Sequence, residues 1–296
     1  MPQPDYERLQ PYQFGGALPE VPSYDSAVAV ILPAPLDRTT SYVPGTRNGP
    51  REILMASTQV ELWDEEIGVD VHGRGIVTLP ELDMTSGTME TVLAELGRVA
   101  GRILDDRKFL LTLGGEHSIT SPLVAEAARR HRGLTVLQID AHADLRDGYQ
   151  SQRHSHAAAM RRTLEFAPIV QVGIRNISEE EVAALPTLKT RIFYDWNMRE
   201  DPDWIARAVD ALSDTVYISI DLDGLDPATM PAVGTPEPGG LSWRELTTLL
   251  RRTFERRNVV ACDVVELCPI AGMAAPNFLA ARLVYKLLTY KLHASS

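Results

Sequence analysis

The sequence has only two cysteines in 296 residues, Cys262 and Cys268. They do not share C-x-x-C spacing, and both fall in or beside the apolar stretch "VVACDVVELCP". A disulfide framework is therefore not expected, whereas buried, reduced thiols of a cytoplasmic protein are. Positive charge is also scarce. Against 40 Asp and Glu there are 29 Lys and Arg, for a net charge of -11, which speaks against nucleic acid or an anionic membrane as a partner. No run approaches the ~18 apolar residues that span a bilayer, and the polar start "MPQPDYERLQ" has no apolar signal region. Aromatics make up 6% of the chain, but 44% hydrophobic and 23% charged residues exclude collagen-like and disordered chains.

What is present is a repeated alternation. Short apolar runs rich in Val and Ile occur at "AVAVIL" from Ala27, "GIVTL" from Gly75, "KFLLTL" from Lys108 and "LTVLQI" from Leu134. Four more follow at "PIVQVGI" from Pro168, "RIFY" from Arg191, "TVYISI" from Thr215 and "VVACDVVEL" from Val259. Nearly continuous apolar runs are expected of strands buried on both faces. Between them lie helical patterns such as Met89, Val92, Leu93, Leu96, Val99 and Ile103. Ser121-Pro122 and Asp201-Pro202 read as helix starts, and Ser242 with Glu245 as a capping box. A last helix is expected from about Pro276. Eight strands alternating with helices predict an α/β protein with a mostly parallel sheet, open or closed into a barrel. Residues 1–25, without periodicity, read as an N-terminal arm, and 26–296 as one catalytic domain.

The polar residues that stand at the ends of these runs carry the chemistry. His117 follows "FLLTLGG", Asp140 follows "LTVLQI", Asp221 and Asp223 follow "TVYISI", and Glu266 closes "VVACDVV". In parallel α/β folds the carboxyl ends of strands line the ligand crevice, so these groups are expected to converge. In extended chain Asp140, His142 and Asp144 would share a face, as would Asp221 and Asp223. Four carboxylates at close range need cations to stay ionised, and two divalent ions would balance them. Oxygen-rich ligation with some imidazole and no thiolate suits Mn²⁺, with Co²⁺, Fe²⁺ or Zn²⁺ as other occupants.

The segments "LGGEHSIT", "VLQIDAHAD" and "SIDLDGLDPATMPAVGTPEPGG" resemble the three metal-binding signatures of the ureohydrolases, the arginase and agmatinase superfamily. "SYVPGTRNGPREILMAS" resembles the substrate-loop and helix segment of its agmatinase-like branch. The resemblance implies a single-domain three-layer α/β/α fold with an open eight-stranded parallel sheet, arginase-like. It implies two Mn²⁺ per subunit, one held by His117 and Asp144, the other by His142 and Asp223, with Asp140 and Asp221 bridging. It also implies a trimer or hexamer. Such metals would make water nucleophilic near neutral pH. Glu266 would pair with a guanidinium, Asp144 would accept the hydroxide proton and pass it toward the leaving amine, and His156, at the family's shuttle position, would serve as a proton shuttle.

The implied reaction is hydrolysis of a small cationic guanidino compound to urea and an amine, first of all agmatine to putrescine in polyamine metabolism. Arginases read the amino-acid end of arginine with small neutral residues where this chain has Arg146, Gln152 and His154. Arg146, Arg153 and His154 could instead meet a carboxylate, which keeps a guanidinobutyrase reading beside arginase itself. A formiminoglutamase-like amide hydrolase has no use for the carboxylate of Glu266, and a non-catalytic relative would have lost ligands. Glu116 reads as support for its neighbouring ligand, and His72, His131 and His293 as surface residues. Cys268, "LPELDM" near Leu82, and Glu126 depart from the family pattern without touching a proposed ligand.

Overall fold

The computed structural model describes residues 12–16 and 22–294. The expected arm, residues 1–25, therefore lies partly outside the described residues. Of its described part, Phe14 is buried and its amide donates to Thr78 Oγ1 at 3.0 Å.

Ten strands form among the described residues. They are β1 (Ala29–Ala34), β2 (Trp63–Asp64), β3 (Val69–Asp70), β4 (Ile76–Thr78), β5 (Phe109–Gly114) and β6 (Thr135–Ile139). The rest are β7 (Ile169–Ile174), β8 (Thr190–Tyr194), β9 (Thr215–Asp221) and β10 (Asn258–Val265). Eight of them make one sheet in the order β4-β1-β5-β10-β9-β6-β7-β8, parallel at every pairing. The sheet is open, not a barrel, and all eight expected strands are in it. The antiparallel hairpin of β2 and β3 stands apart, too short to show a period in sequence.

Helices cover both faces, so the architecture is three-layered. On one side α1 (Gly49–Ser57), α7 (Trp204–Asp210), α8 (Trp243–Arg256) and α9 (Ala275–Ala294) pack on Ile31, Leu111, Leu113, Ile218 and Cys262. On the other, α2 (Met89–Asp105), α3 (Thr120–Arg130) and α4 (Ala159–Thr163) cover Val30, Leu110, Val136, Tyr217 and Ala261. Successive strand residues point to opposite layers, which is why the strands read as unbroken apolar runs. The short α5 (Glu179–Ala184) and α6 (Asp195–Met198) follow β7 and β8.

The helix starts came out unevenly. Ser242 and Glu245 form the expected capping box, with Glu245 N donating to Ser242 Oγ at 3.2 Å and Glu245 Oε2 accepting from Ser242 N at 2.8 Å. At Ser121-Pro122 the chain already turns as a 3-10 helix from His117, so α3 begins at Thr120 and Ser121 lies inside it. At Asp201-Pro202 the helix starts two residues later, with Asp203 as the residue before its first turn. His72 is also not a surface residue. It is buried, with Nε2 3.1 Å from the carbonyl of Phe14.

Candidate metal centre and active site

The four central strands, β5, β10, β9 and β6, end side by side, and each delivers polar side chains to one place. His117 Nδ1 lies 3.1 Å from Asp140 Oδ2, 3.2 Å from Asp221 Oδ2 and 3.3 Å from Asp144 Oδ2. His142 Nδ1 lies 2.9 Å from Asp223 Oδ2 and 3.6 Å from Asp140 Oδ1. Two groups thus have metal-ligand spacing, His117 with Asp140 and Asp221, and Asp140 with His142 and Asp223. Asp140 belongs to both.

The convergence does not come from strand alternation. Strand β6 stops at Ile139, and residues 140–144 are irregular, with Asp144 in the left-handed region at φ 54°. Asp223 sits in a 3-10 turn beyond β9. Both aspartate pairs are built instead on side-chain-capped turns. One oxygen of Asp140 accepts from the amide of His142, and Asp221 Oδ1 accepts from the amide of Asp223 at 2.9 Å. In each case Oδ2 is left directed at His117 Nδ1. Asp223 Oδ1 takes the amide of Ala141 at 3.1 Å, which ties the two turns together.

Behind His117 runs a buried chain that fixes its ring. Nε2 is 2.9 Å from Ser219 Oγ, which donates to Asp263 Oδ1 at 2.7 Å. Tyr217 and Thr120 donate to the other oxygen of Asp263 at 2.7 and 2.9 Å. With Nε2 engaged, Nδ1 faces three carboxylates and has no hydrogen-bond partner of its own. A buried imidazole nitrogen with that donor set fits a divalent cation. The titration directions agree. Burial pushes Asp221 and Asp144 above the usual carboxylate range, reinforced by neighbouring carboxylates. Burial opposes charging of the two imidazoles, yet the carboxylates raise His117 strongly and His142 to about 12. Asp140, despite burial, is held low by the two imidazoles. These directions mark an excess of buried negative charge for which a cation is the complement.

His142, Asp144, Asp221 and Asp223 of the cluster line a pocket of about 170 Å³, together with Ser41, Arg146, Tyr149, His156, Asn176, Glu181, Thr235 and Glu266, while His117 and Asp140 are buried beside them. Glu266, the first residue after β10, has φ 66°, a costly conformation for a non-glycine residue that turns its carboxylate to the pocket. Its Oε1 accepts from His117 N at 2.7 Å, and burial, with Glu116 nearby, pushes its carboxyl well up. His156 and Arg146 line the pocket as well, and Arg146 lies over the Tyr149 ring at 5.2 Å. His154 is not in the lining, and its charged neighbour is Glu90 of α2. Arg153 pairs with Glu165 at 2.8 Å instead. Glu116 is buried beside His117, and its carboxylate holds the backbone of Arg38 and Thr39. Cys268 packs its sulfur 3.5 Å from the Pro44 carbonyl, outside the pocket.

Glu181 and Asn176, on the wall, were not picked out from sequence. They follow β7 as His117 follows β5, and the Ser178–Glu181 capping box was readable there. The carboxylate of Glu181 also accepts from the amide of Leu145 at 2.8 Å, so the β7 connection braces the segment after Asp144.

Fold and site together define a three-layer α/β enzyme whose pocket, at the carboxyl end of a parallel sheet, is floored by carboxylates and imidazoles. The chain belongs to the arginase family, whose model matches residues 27–289, and it is a hydrolase of the ureohydrolase type, acting on C–N bonds of amidines. It is 38% identical over 278 residues to the N(1)-aminopropylagmatine ureohydrolase of Synechocystis sp., covering 91% of each chain. The Thermus thermophilus protein of the same name is 38% identical over 90% of this chain and 92% of its own. The crystal structure of agmatine ureohydrolase of Thermoplasma volcanium superposes with a TM-score of 0.87 at 30% identity, over 97% of this chain and 96% of that one.

Proposed function

We propose that this chain releases urea from the guanidino end of N(1)-aminopropylagmatine or of agmatine, with the aminopropyl compound preferred. The observation that carries the guanidine reading is Glu266, a buried carboxylate turned at positive φ into the pocket that the His/Asp cluster floors. The preference between the two rests on the relatives at 38% identity, which are named for the aminopropyl compound. Agmatine, the first expectation from sequence, is the second reading, favoured by the name of the Thermoplasma structure.

In this proposal His117, Asp140, His142, Asp144, Asp221 and Asp223 would hold two Mn²⁺ ions. When bound, such ions supply the positive charge that makes water nucleophilic near neutral pH. Glu266 orients the planar guanidinium by a charge-assisted pair, presenting its central carbon to the cluster. Asp144 accepts a proton from the attacking water, and His156 delivers one to the departing amine. Glu181 lines the pocket, and its carboxylate, held by the amides of Leu145 and Ser178, would favour a cationic substrate there. Arg146, held over Tyr149, disfavours a long cation along its own side and narrows the path. His154 is left without a role. Residues 26–296 act as one catalytic domain, and the assembly is a trimer or hexamer.

The test is urea release by the Mn²⁺-loaded protein across N(1)-aminopropylagmatine, agmatine, arginine and 4-guanidinobutyrate. Highest kcat/KM on the aminopropyl compound is expected. No urea from any of the four would refute the reading, and a preference for arginine or 4-guanidinobutyrate would refute the choice of substrate.

A further inference from the structure

The ring of His156 is held from three sides. Nδ1 lies 3.3 Å from Thr39 Oγ1 and 3.3 Å from Ser155 Oγ, and Nε2 lies 3.1 Å from Ser41 Oγ. Thr39 also receives the backbone amide of His156 at 3.0 Å. Behind Thr39 stands Glu116, a fully buried carboxylate. Its Oε2 takes the amides of Arg38 and of Thr39, the latter at 2.7 Å, and its Oε1 takes the hydroxyls of Ser118 at 2.6 Å and Thr39 at 2.7 Å.

Counting donors gives an assignment of the protons. Two amides occupy Oε2 and two hydroxyls point to Oε1, so the carboxylate acts purely as an acceptor. Thr39 has one hydroxyl proton, and it goes to Glu116. The lone pairs of Thr39 are then what faces His156, and they accept its backbone N–H and its Nδ1–H. The neutral imidazole is left with a bare Nε2, on the side of Ser41 and the pocket.

We propose that Thr39 is a positioning residue which, with Glu116 behind it, holds His156 in the Nδ1–H tautomer, so that Nε2 is the atom that exchanges protons in the pocket. The catalytic consequence rests on the reading of His156 as the proton carrier; the tautomer itself does not. Thr39 touches no reacting atom in this scheme. It acts by removing a choice that a free imidazole would otherwise have, since in solution either nitrogen can carry the proton.

The experiment combines nitrogen-15 NMR of histidine side chains with kinetics, on the wild type and three variants. Thr39→Val keeps the size and the amide donor to Glu116 but deletes the hydroxyl, and Thr39→Ser restores it. In metal-free protein at neutral pH, His156 of the wild type and of Thr39→Ser should carry its proton on Nδ1. Thr39→Val should lose that fixed tautomer, because the Ser155 hydroxyl can then donate to Nδ1. Ser155→Ala should leave Nδ1–H in place. In the Mn²⁺-loaded enzyme, kcat of Thr39→Val should fall roughly 10- to 100-fold with KM little changed, and Thr39→Ser should recover most of it. An Nε2–H tautomer in the wild type overturns the proposal without any variant. So does a Thr39→Val protein that keeps the wild-type tautomer, or a Ser155→Ala protein that loses it. If the tautomers come out as stated but no guanidine is hydrolysed, the positioning role stands and the proposed function falls.

Discussion

At the scale of single residues, Asp221 and Glu266 allow the proposed cation site and the proposed substrate contact to be tested apart. Asp221 uses one oxygen to cap the turn of Asp223 and directs the other at His117. Asp221→Asn keeps the turn, through its side-chain carbonyl, and removes the charge. It should abolish bound metal and urea release together while leaving the melting curve of metal-free protein nearly unchanged. Glu266→Gln should behave differently. Its side-chain carbonyl can still accept from the amide of His117, so metal content should stay near that of the wild type. The pair with a guanidinium would be lost, which costs about 2 kcal/mol or more, roughly a 30-fold or greater drop in kcat/KM. Metal analysis and steady-state kinetics on both variants read this out. Equal loss of metal in the two would mean that Glu266 serves the cluster and not the substrate.

At the scale of elements, the sheet was legible and the connections were not. The strands of the sheet other than the edge strand β8 are buried on both faces and leave nearly continuous apolar runs, β8 leaves only the short run at "RIFY", and α2 leaves a clear helical stripe. The polar strand ends were legible too, since a charge directly after a buried run has few bland explanations. The manner of convergence was not. Asp140 to Asp144 read as extended chain, whereas capped turns and a left-handed Asp144 do the work. Such turns depend on which amide a carboxylate finds, and that leaves no periodic trace. The β2–β3 hairpin was likewise invisible, because it is held by side chains 220 positions away and not by its own pattern. Lys286 of α9 is buried and places Nζ 2.9 Å from Asp64 Oδ1 and 3.1 Å from Glu66 Oε2. Lys286→Met should cost about 3–5 kcal/mol in urea unfolding, since Asp64 is left buried without its cation. Burial opposes ionisation of Glu66, but the Tyr290 hydroxyl and Lys286 ammonium hold its carboxyl below the usual range. That part of the stabilisation is complete above the unfolded-state value near 4.3 and is lost as pH falls through the lower folded value. The gap between wild type and variant should therefore narrow below about pH 4. A gap that widens there would contradict the ion-pair account.

At the scale of the whole molecule, negative charge is gathered where the sheet ends. The chain carries a net charge of -11, and its pocket is lined by the buried Asp144, Asp221, Asp223 and Glu266, with Asp140 buried beside them. A cation and a proton are interchangeable partners for such a cluster, so metal binding and pH must be coupled. Asp144, Asp221 and Glu266 have raised folded-state values, and so do His117 and His142. For every one of these the sign is the same. In metal-free protein their contribution is complete below the unfolded value, near 4 for the carboxyls and 6.5 for the imidazoles, and is lost as pH rises through the folded value. Asp140 is shifted the other way, but its contribution varies only in acid and leaves the range from about pH 5 upward untouched. Chelator-stripped protein should accordingly lose stability between about pH 5 and pH 8. Divalent ions replace the departing protons and add about 2.7 kcal/mol at a hundredfold excess over Kd. The difference in Tm between Mn²⁺-loaded and stripped protein should then be small near pH 5 and grow steadily toward pH 8. Calorimetry of both forms across that range decides the matter. A Tm difference that is flat with pH, or that shrinks as pH rises, would mean that the ion does not sit where these carboxylates and imidazoles hold their protons.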